Sequence, residues 1–174
     1  TKDRRHSVSY HRPVPLRYEA DVAVIGGGIA GVSAACAAAR SGARVVLVEK
    51  LAVTGGDMTA GGVNAFCGET RGQGEVFDAI LAGLGSFGAV APYHPYEHFS
   101  KHEFRLMDHE ILAVVLQELL VRHRVKILLH TRCADVLCRG SRLTDCILAG
   151  PSGLEALRAR QFIDATGEAD LTHA

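Results

Sequence analysis

Six residues of the chain, Gly26-Gly27-Gly28-Ile29-Ala30-Gly31, have the spacing GxGxxG. Three glycines so placed let the backbone turn out of a strand, approach a phosphate closely and lead into a helix lying near the sheet. The chemistry is anion binding. Unpaired N–H groups and the positive end of a helix dipole stabilise a diphosphate. An acid, Glu49, follows 18 positions after Gly31. A carboxylate there can accept both hydroxyls of an adenosine ribose and would repel a 2′-phosphate. Gly26, Gly28, Ile29, Ala30, Gly31, Glu49 and Lys50 are therefore candidates to hold the ADP half of a dinucleotide.

These residues need a strand before the turn and another before the acid, and the sequence supplies both. Residues 20–25 form a nearly continuous apolar run, as expected of a strand buried on both faces of a parallel sheet. Residues 29–40 are small and helix-compatible, and Ser41-Gly42 closes the helix. Residues 44–49 read as a second buried strand, which completes β-α-β with a right-handed crossover. A glycine-rich stretch, 54–74, is unsuited to a helix or strand interior. A helix is expected over 75–84, irregular chain over 85–107, and a helix capped by Asp108 and running to about His123. Strands are expected at 126–130, 135–137, 142–148 and 156–163, with a turn at Arg139-Gly140-Ser141.

The composition is that of a globular domain: 174 residues, 48% hydrophobic, 22% charged. Lys plus Arg and Asp plus Glu number 19 each, so no net field draws a nucleic acid or a membrane surface. No apolar run reaches the roughly 18 residues that span a bilayer. Residues 1–17 form a polar arm ahead of a domain at 18–174, and Thr1 stands where an initiator Met would be. Five cysteines without a CxxC pair fit a reducing, cytoplasmic setting.

Three segments carry a resemblance: DVAVIGGGIAGVSAACAAARSGARVVLVEK at 21–50, TGGDMTAGG at 54–62, and FIDATGEADL at 162–171. In combination they resemble flavoproteins with the two-dinucleotide-binding-domain (glutathione-reductase-like) flavin fold. Among these they look most like the FAD-dependent oxidoreductases related to fumarate reductase flavoproteins. The resemblance implies an α/β, Rossmann-like FAD-binding domain with a central parallel sheet and an additional small β-sheet. It implies FAD contacts at Gly56, Thr59, Gly61 and Gly62, at Cys133 and Ala134 beside the adenine, and at Thr166 and Gly167 beside the pyrophosphate. It further implies hydride transfer from a small-molecule substrate to the flavin, in an oligomer.

The chain departs from its look-alikes in three ways. Only Cys67 lies in the glycine-rich segment, so dithiol chemistry of the disulfide-reductase type is not expected there. Met58 stands before Thr59 where relatives with covalent flavin have His, so the FAD is expected to be non-covalent. Only Leu171-Thr172-His173-Ala174 follow Asp170 of the last motif, so the remaining polypeptide or a second chain is expected to complete the site. The alternatives are an NAD-binding enzyme on the same nucleotide fold and a non-catalytic nucleotide-binding subunit of a larger assembly.

Several weaker signals have plainer readings. His94, His98 and His102 recur every four residues, but Pro92 and Pro95 break a helix there, which leaves a loop rather than a metal site. Asp108 before His109-Glu110 reads as a cap, and Cys67 as a buried, inert thiol. Cys133 and Cys138, five apart in a strand, face opposite sides and are not expected to pair. Arg4, Arg5, Arg12 and Arg17 belong to the arm.

Overall fold

A computed structural model describes residues 10–68, 70–92, 94–95 and 103–174. The glycine turn sits between strand β1 (Leu16–Ile25) and helix α1 (Ile29–Arg40), and β2 (Val45–Val48) follows. The strand β1 begins four residues before the apolar run read from the sequence, and the start of α1 is as expected. After the glycine-rich loop come β3 (Ala65–Cys67), α2 (Glu75–Ser86), β4 (His94–Pro95), β5 (Glu103–Leu106) and α3 (His109–Arg122). The chain then runs through β6 (Lys126–Leu128), β7 (Arg132–Arg139), β8 (Arg142–Gly150), β9 (Gly153–Asp164) and α4 (Asp170–His173).

The main sheet has the order β6-β2-β1-β9-β8-β7. Four strands, β6, β2, β1 and β9, are parallel to one another, and β8 and β7 extend the sheet as an antiparallel meander from β9. A second sheet, β3-β5-β4, is antiparallel. This is the mixed α/β architecture expected, with two regional corrections. Within the stretch 54–74, read as unsuited to a strand, residues 65–67 lie between glycines and form β3 by pairing with β5. The segment 85–107, expected to be irregular, contributes β4 and β5; β5 pairs with β4 on one side and with β3 on the other. The central strand β5 takes one partner, β3, from a distant glycine-flanked segment, so local sequence pattern carries little signal for this sheet. Of the histidine series, His94 lies in β4, while His98 and His102 lie outside the described residues, as do Arg4 and Arg5.

Alternation along β1 and β2 feeds two cores. Val24, Val45 and Leu47 face the helices, packing with Val32 and Cys36 of α1, Ile80 and Leu84 of α2, and Leu112, Leu116 and Leu120 of α3. Ala23, Ile25, Val46 and Val48 face the other way, onto Cys146, Leu148, Leu157, Ala159 and Leu171. A strand with both faces buried has no polar face to show, which explains its unbroken apolar sequence. Asp108 caps α3 as expected, its carboxylate accepting from the N–H groups of Glu110 at 2.9 Å and Ile111 at 3.1 Å. Among the described residues, no helix is long and apolar enough to cross a membrane.

Candidate functional site

The carboxyl ends of β9, β1, β2 and β6 lie side by side, because Ile25 is in register with both Val48 and Asp164, and Val48 with Leu128. The loops that leave these ends converge. In open α/β sheets, ligands bind in a crevice outside such ends. Here the crevice is a cleft of about 480 Å³, lined by the glycine turn, Glu49 to Leu51, Gly55 to Met58, Thr131 to Cys133 and Ala165 to Glu168.

The turn itself is held by its neighbours. The N–H of Gly26 donates to the carbonyl of Val48 at 2.8 Å, and that of Ala165 to Ile25 at 2.7 Å. Gly26 has φ +101°, and a Cβ there would lie 2.2 Å from the Ala165 carbonyl oxygen. At Gly31 a Cβ would stand 1.8 Å from the Gly26 oxygen, so α1 can approach β1 only with glycine at this position. Gly28 differs from both, since an added Cβ would meet nothing within 4 Å. It borders open cleft, at an α1 N-terminus with no side-chain cap and no acid in its first turn. Uncapped N–H groups beside free space are what a diphosphate requires.

Glu49 is 5% exposed, and its carboxylate bridges two loops. Its Oε2 accepts from Gly27 N at 2.6 Å and its Oε1 from Leu51 N at 2.7 Å. A Cβ on Gly27 would fall 2.9 Å from that carboxylate, so the middle glycine is required as well. The loop after β6 is tied in through its backbone, with Thr131 N donating to Glu49 O at 2.9 Å and His130 N to Leu51 O at 3.0 Å.

Opposite, the Asp164 carboxylate organises the last turn. It accepts from Thr166 N at 3.1 Å, Thr166 Oγ1 at 2.8 Å, Thr172 N at 3.0 Å and Thr172 Oγ1 at 2.7 Å. Burial pushes this carboxyl up, but the donors from Thr172 and Thr166 outweigh it and hold the group below the usual carboxylate range.

The structure brings ten of the candidate residues to the cleft wall: Gly26, Gly28, Ile29, Ala30, Glu49, Lys50, Gly56, Cys133, Thr166 and Gly167. Five others stand away from it. Gly31 lies under the turn, and Gly61 packs on the Asp57 backbone, where a Cβ would come within 2.7 Å. Thr59 is buried, donating its hydroxyl to the Thr54 carbonyl at 2.8 Å, so it shapes the loop. Gly62 and Ala134 are exposed outside the lining. The wall also holds Met58, read from the sequence as the residue that argues against a covalent flavin, and Leu51, Asp57, Thr131, Arg132 and Glu168, which sequence reasoning did not single out. Of the latter, only Arg132 carried a usable signal, as a cation next to the expected adenine strand. Cys67, expected to be buried, is exposed and is not part of the wall, because alternation along β3 turns Phe66 into the core and Cys67 outward.

The family model for FAD dependent oxidoreductases matches residues 21–174. Thiamine thiazole synthase of Pyrococcus horikoshii is 28% identical over 167 residues, covering 91% of this chain and 62% of that protein. Fumarate reductase (cytochrome) of Shewanella frigidimarina is 55% identical over 47 residues, covering 26% of this chain and 8% of that protein. Among solved structures, THI4 of Thermovibrio ammonificans aligns with TM-score 0.61 at 22% identity, over 85% of this chain and 57% of that one. The open form of a flavocytochrome c3 fumarate reductase aligns with TM-score 0.62 at 16% identity, over 86% of this chain and 34% of that one. The chain thus spans less than two thirds of the length of each of these proteins. Those two structural likenesses establish the fold, and the family match covers both ends of the cleft, from β1 to the turn after β9. The chain belongs to the FAD-dependent oxidoreductase family, whose cofactor is FAD.

Proposed function

We propose that this chain is the FAD-binding part of an enzyme that moves hydride from a small-molecule substrate to a non-covalently held flavin. The observation that carries the reading is the open space at Gly28, beside an uncapped helix N-terminus and across from Glu49. The N–H groups of Gly28, Ile29 and Ala30 would hold the pyrophosphate, with Thr166 and Gly167 closing on it from the β9 side. Glu49 would receive the ribose hydroxyls, and the backbone at Thr131 to Cys133 would border the adenine. Lys50 and Arg132 supply the positive side chains of the wall. Gly56 and Met58 would flank the isoalloxazine, while Thr59, Gly61 and Gly62 set the loop that carries them.

When bound, FAD supplies two-electron chemistry at its ring, and the protein's part is to orient it and shield it from water. The domain expected at 18–174, with β1 reaching back to Leu16, serves as the cofactor unit behind the polar arm, and a further part of the polypeptide or a partner chain provides the substrate side. The test is the absorbance spectrum of purified protein, followed by titration with FAD. Flavin bands that leave with small solutes after acid denaturation support a non-covalent flavoprotein; a colourless protein that takes up no FAD overturns the reading.

A second reading keeps the cleft and changes the reaction: a biosynthetic enzyme rather than a simple dehydrogenase. The breadth of the likeness to the thiazole synthase favours it. Mass analysis of the nucleotide that co-purifies, FAD or NAD, separates the two cofactors.

A further inference from the structure

Two cysteines meet at the edge of the cleft. Cys133 Sγ lies 2.9 Å from Cys146 Sγ, and both are free thiols. A disulfide needs about 2.05 Å between sulfurs, so less than about 1 Å of approach separates this pair from a bond. The register alone does not put them together, since Cys133 pairs with Leu148 and Val136 with Cys146. Cys146 and Leu148 share one face of β8, which makes Cys146 the diagonal neighbour of Cys133. A register shift between Cys133 and Asp135 displaces β7 locally and closes the diagonal.

The two thiols are not equivalent. Cys133 is half-buried and lines the cleft, whereas Cys146 is fully buried in the second core. The Cys146 S–H donates to the Cys133 sulfur, which lowers Cys133 and raises Cys146, an effect that burial adds to at Cys146. The thiolate, which is the nucleophile, therefore forms on the sulfur that solutes can reach.

We propose that Cys133 and Cys146 are an oxidisable dithiol at the nucleotide cleft, which hydroperoxides convert to a disulfide joining β7 to β8. In the first step the Cys133 sulfur attacks one oxygen of hydrogen peroxide. The O–O bond breaks, hydroxide leaves, and Cys133 becomes a sulfenic acid. In the second, the Cys146 sulfur attacks the sulfenic sulfur, the S–S bond forms and water departs with the Cys146 proton. Two thiols lose two electrons and one peroxide gains them. Cys133 is the attacked residue and Cys146 the resolving one, because only Cys133 faces the cleft. A bound nucleotide would cover Cys133, and this part alone rests on the FAD reading.

The full-length chain, reduced and then exposed to limiting hydrogen peroxide, is trapped with an alkylating agent and peptide-mapped by mass spectrometry. A linked peptide pair holding Cys133 and Cys146, short by two hydrogens, should form about tenfold faster than oxidation at exposed Cys67 or Cys138. Alkylation of both Cys133 and Cys146 while Cys67 and Cys138 oxidise would overturn the proposal. The Cys146→Ser variant should accumulate sulfenic acid on Cys133, detected with dimedone, with Cys146→Ala as the apolar replacement if serine prevents folding. Cys138→Ala should form the bridge at the parental rate; loss of the bridge in that variant counts against the pair. Saturating FAD should slow the reaction by about tenfold or more. Unchanged oxidation in protein whose spectrum shows bound FAD rejects the placement of Cys133 beside the nucleotide. A bridge that forms in protein taking up no FAD upholds the dithiol and rejects the cofactor reading instead.

Discussion

At Gly28 the backbone has φ −64° and ψ −180°, extended values open to any residue, and an added Cβ would meet nothing within 4 Å. Packing gives no reason for glycine there, and ligand access does. Gly28→Ala should cost no more than about 1 kcal/mol of stability, the preference for glycine over alanine at an N-cap, while weakening FAD at least tenfold, about 1.4 kcal/mol. Gly31→Ala should do the opposite: its Cβ would strike the Gly26 carbonyl at 1.8 Å, and overpacking of this kind costs about 1–3 kcal/mol or more. Denaturant titrations with and without FAD distinguish them, and equal stability losses in both variants would remove the ligand argument for Gly28. Glu49 answers to both demands. Each of its oxygens accepts a backbone N–H, so Glu49→Gln turns an amide N–H₂ toward a donor and loses a charge-assisted bond. The expected loss is about 1.5–3 kcal/mol in stability, with FAD affinity lower as well.

Helix α3 acts at one remove from the cleft. Its buried side packs on α1 and α2, and Leu116 also comes close to Gly55, where a Cβ would lie 3.0 Å from the leucine Cδ1. The element thus props the loop that faces the glycine turn across the Gly55 N to Gly27 O bond of 2.7 Å. Leu116→Ala should cost about 2–5 kcal/mol and loosen that loop, lowering FAD affinity too. Val121, 61% exposed on the outer side of α3, should tolerate Ala within about 0.5 kcal/mol. Thermal melts and FAD titration of the two variants measure the contrast; equal effects would mean that α3 does not support the loop.

At the scale of the molecule, two carboxylates fix the main sheet, one to the chain that follows it and one between two of its own strands. Asp164 joins β9 to the last turn and α4. Asp145 on β8 pairs with Arg158 on β9 at 2.7 Å; burial pushes its carboxyl up, but the Thr144 hydroxyl and Arg158 hold it below the usual range. A folded pKa below the unfolded value means stability that is fully present above the ordinary carboxylate pKa of about 3.9. That stability is lost as pH falls through the lowered value. The urea midpoint should therefore stay level from about pH 7 to 5 and fall below about pH 4, with the fall reduced in Asp145→Asn and Asp164→Asn. A midpoint that rises on acidification would contradict the sign. Because FAD binds only the folded chain, a hundredfold excess over Kd should add about 2.7 kcal/mol, and Gly28→Ala should receive less at the same FAD concentration.

Local pattern was enough for the parts whose physics is local. The apolar runs at β1 and β2, the spacing from Gly26 to Gly31, the acid at position 49 and the cap at Asp108 all follow from residues a few positions apart. Backbone geometry, helix periodicity and phosphate chemistry act over that range. Other features depend on chain segments far apart in sequence. The strand β5 exists through pairing with β3 far upstream and carries β4 on its other edge, and the Asp164 anchor needs Thr172 eight residues on. Thr131 and Arg132 reach the cleft because β6 lies beside β2. Cys133 is the sharpest case. The sequence established that it should not pair with Cys138, but its meeting with Cys146 required a diagonal contact and a register shift between two strands. Composition and periodicity determined the β-α-β unit, the capped helix α3 and where a nucleotide cradle begins. Only tertiary pairing decided which side chains complete the cleft, because register between strands is set by the packing of both faces and not by either strand alone.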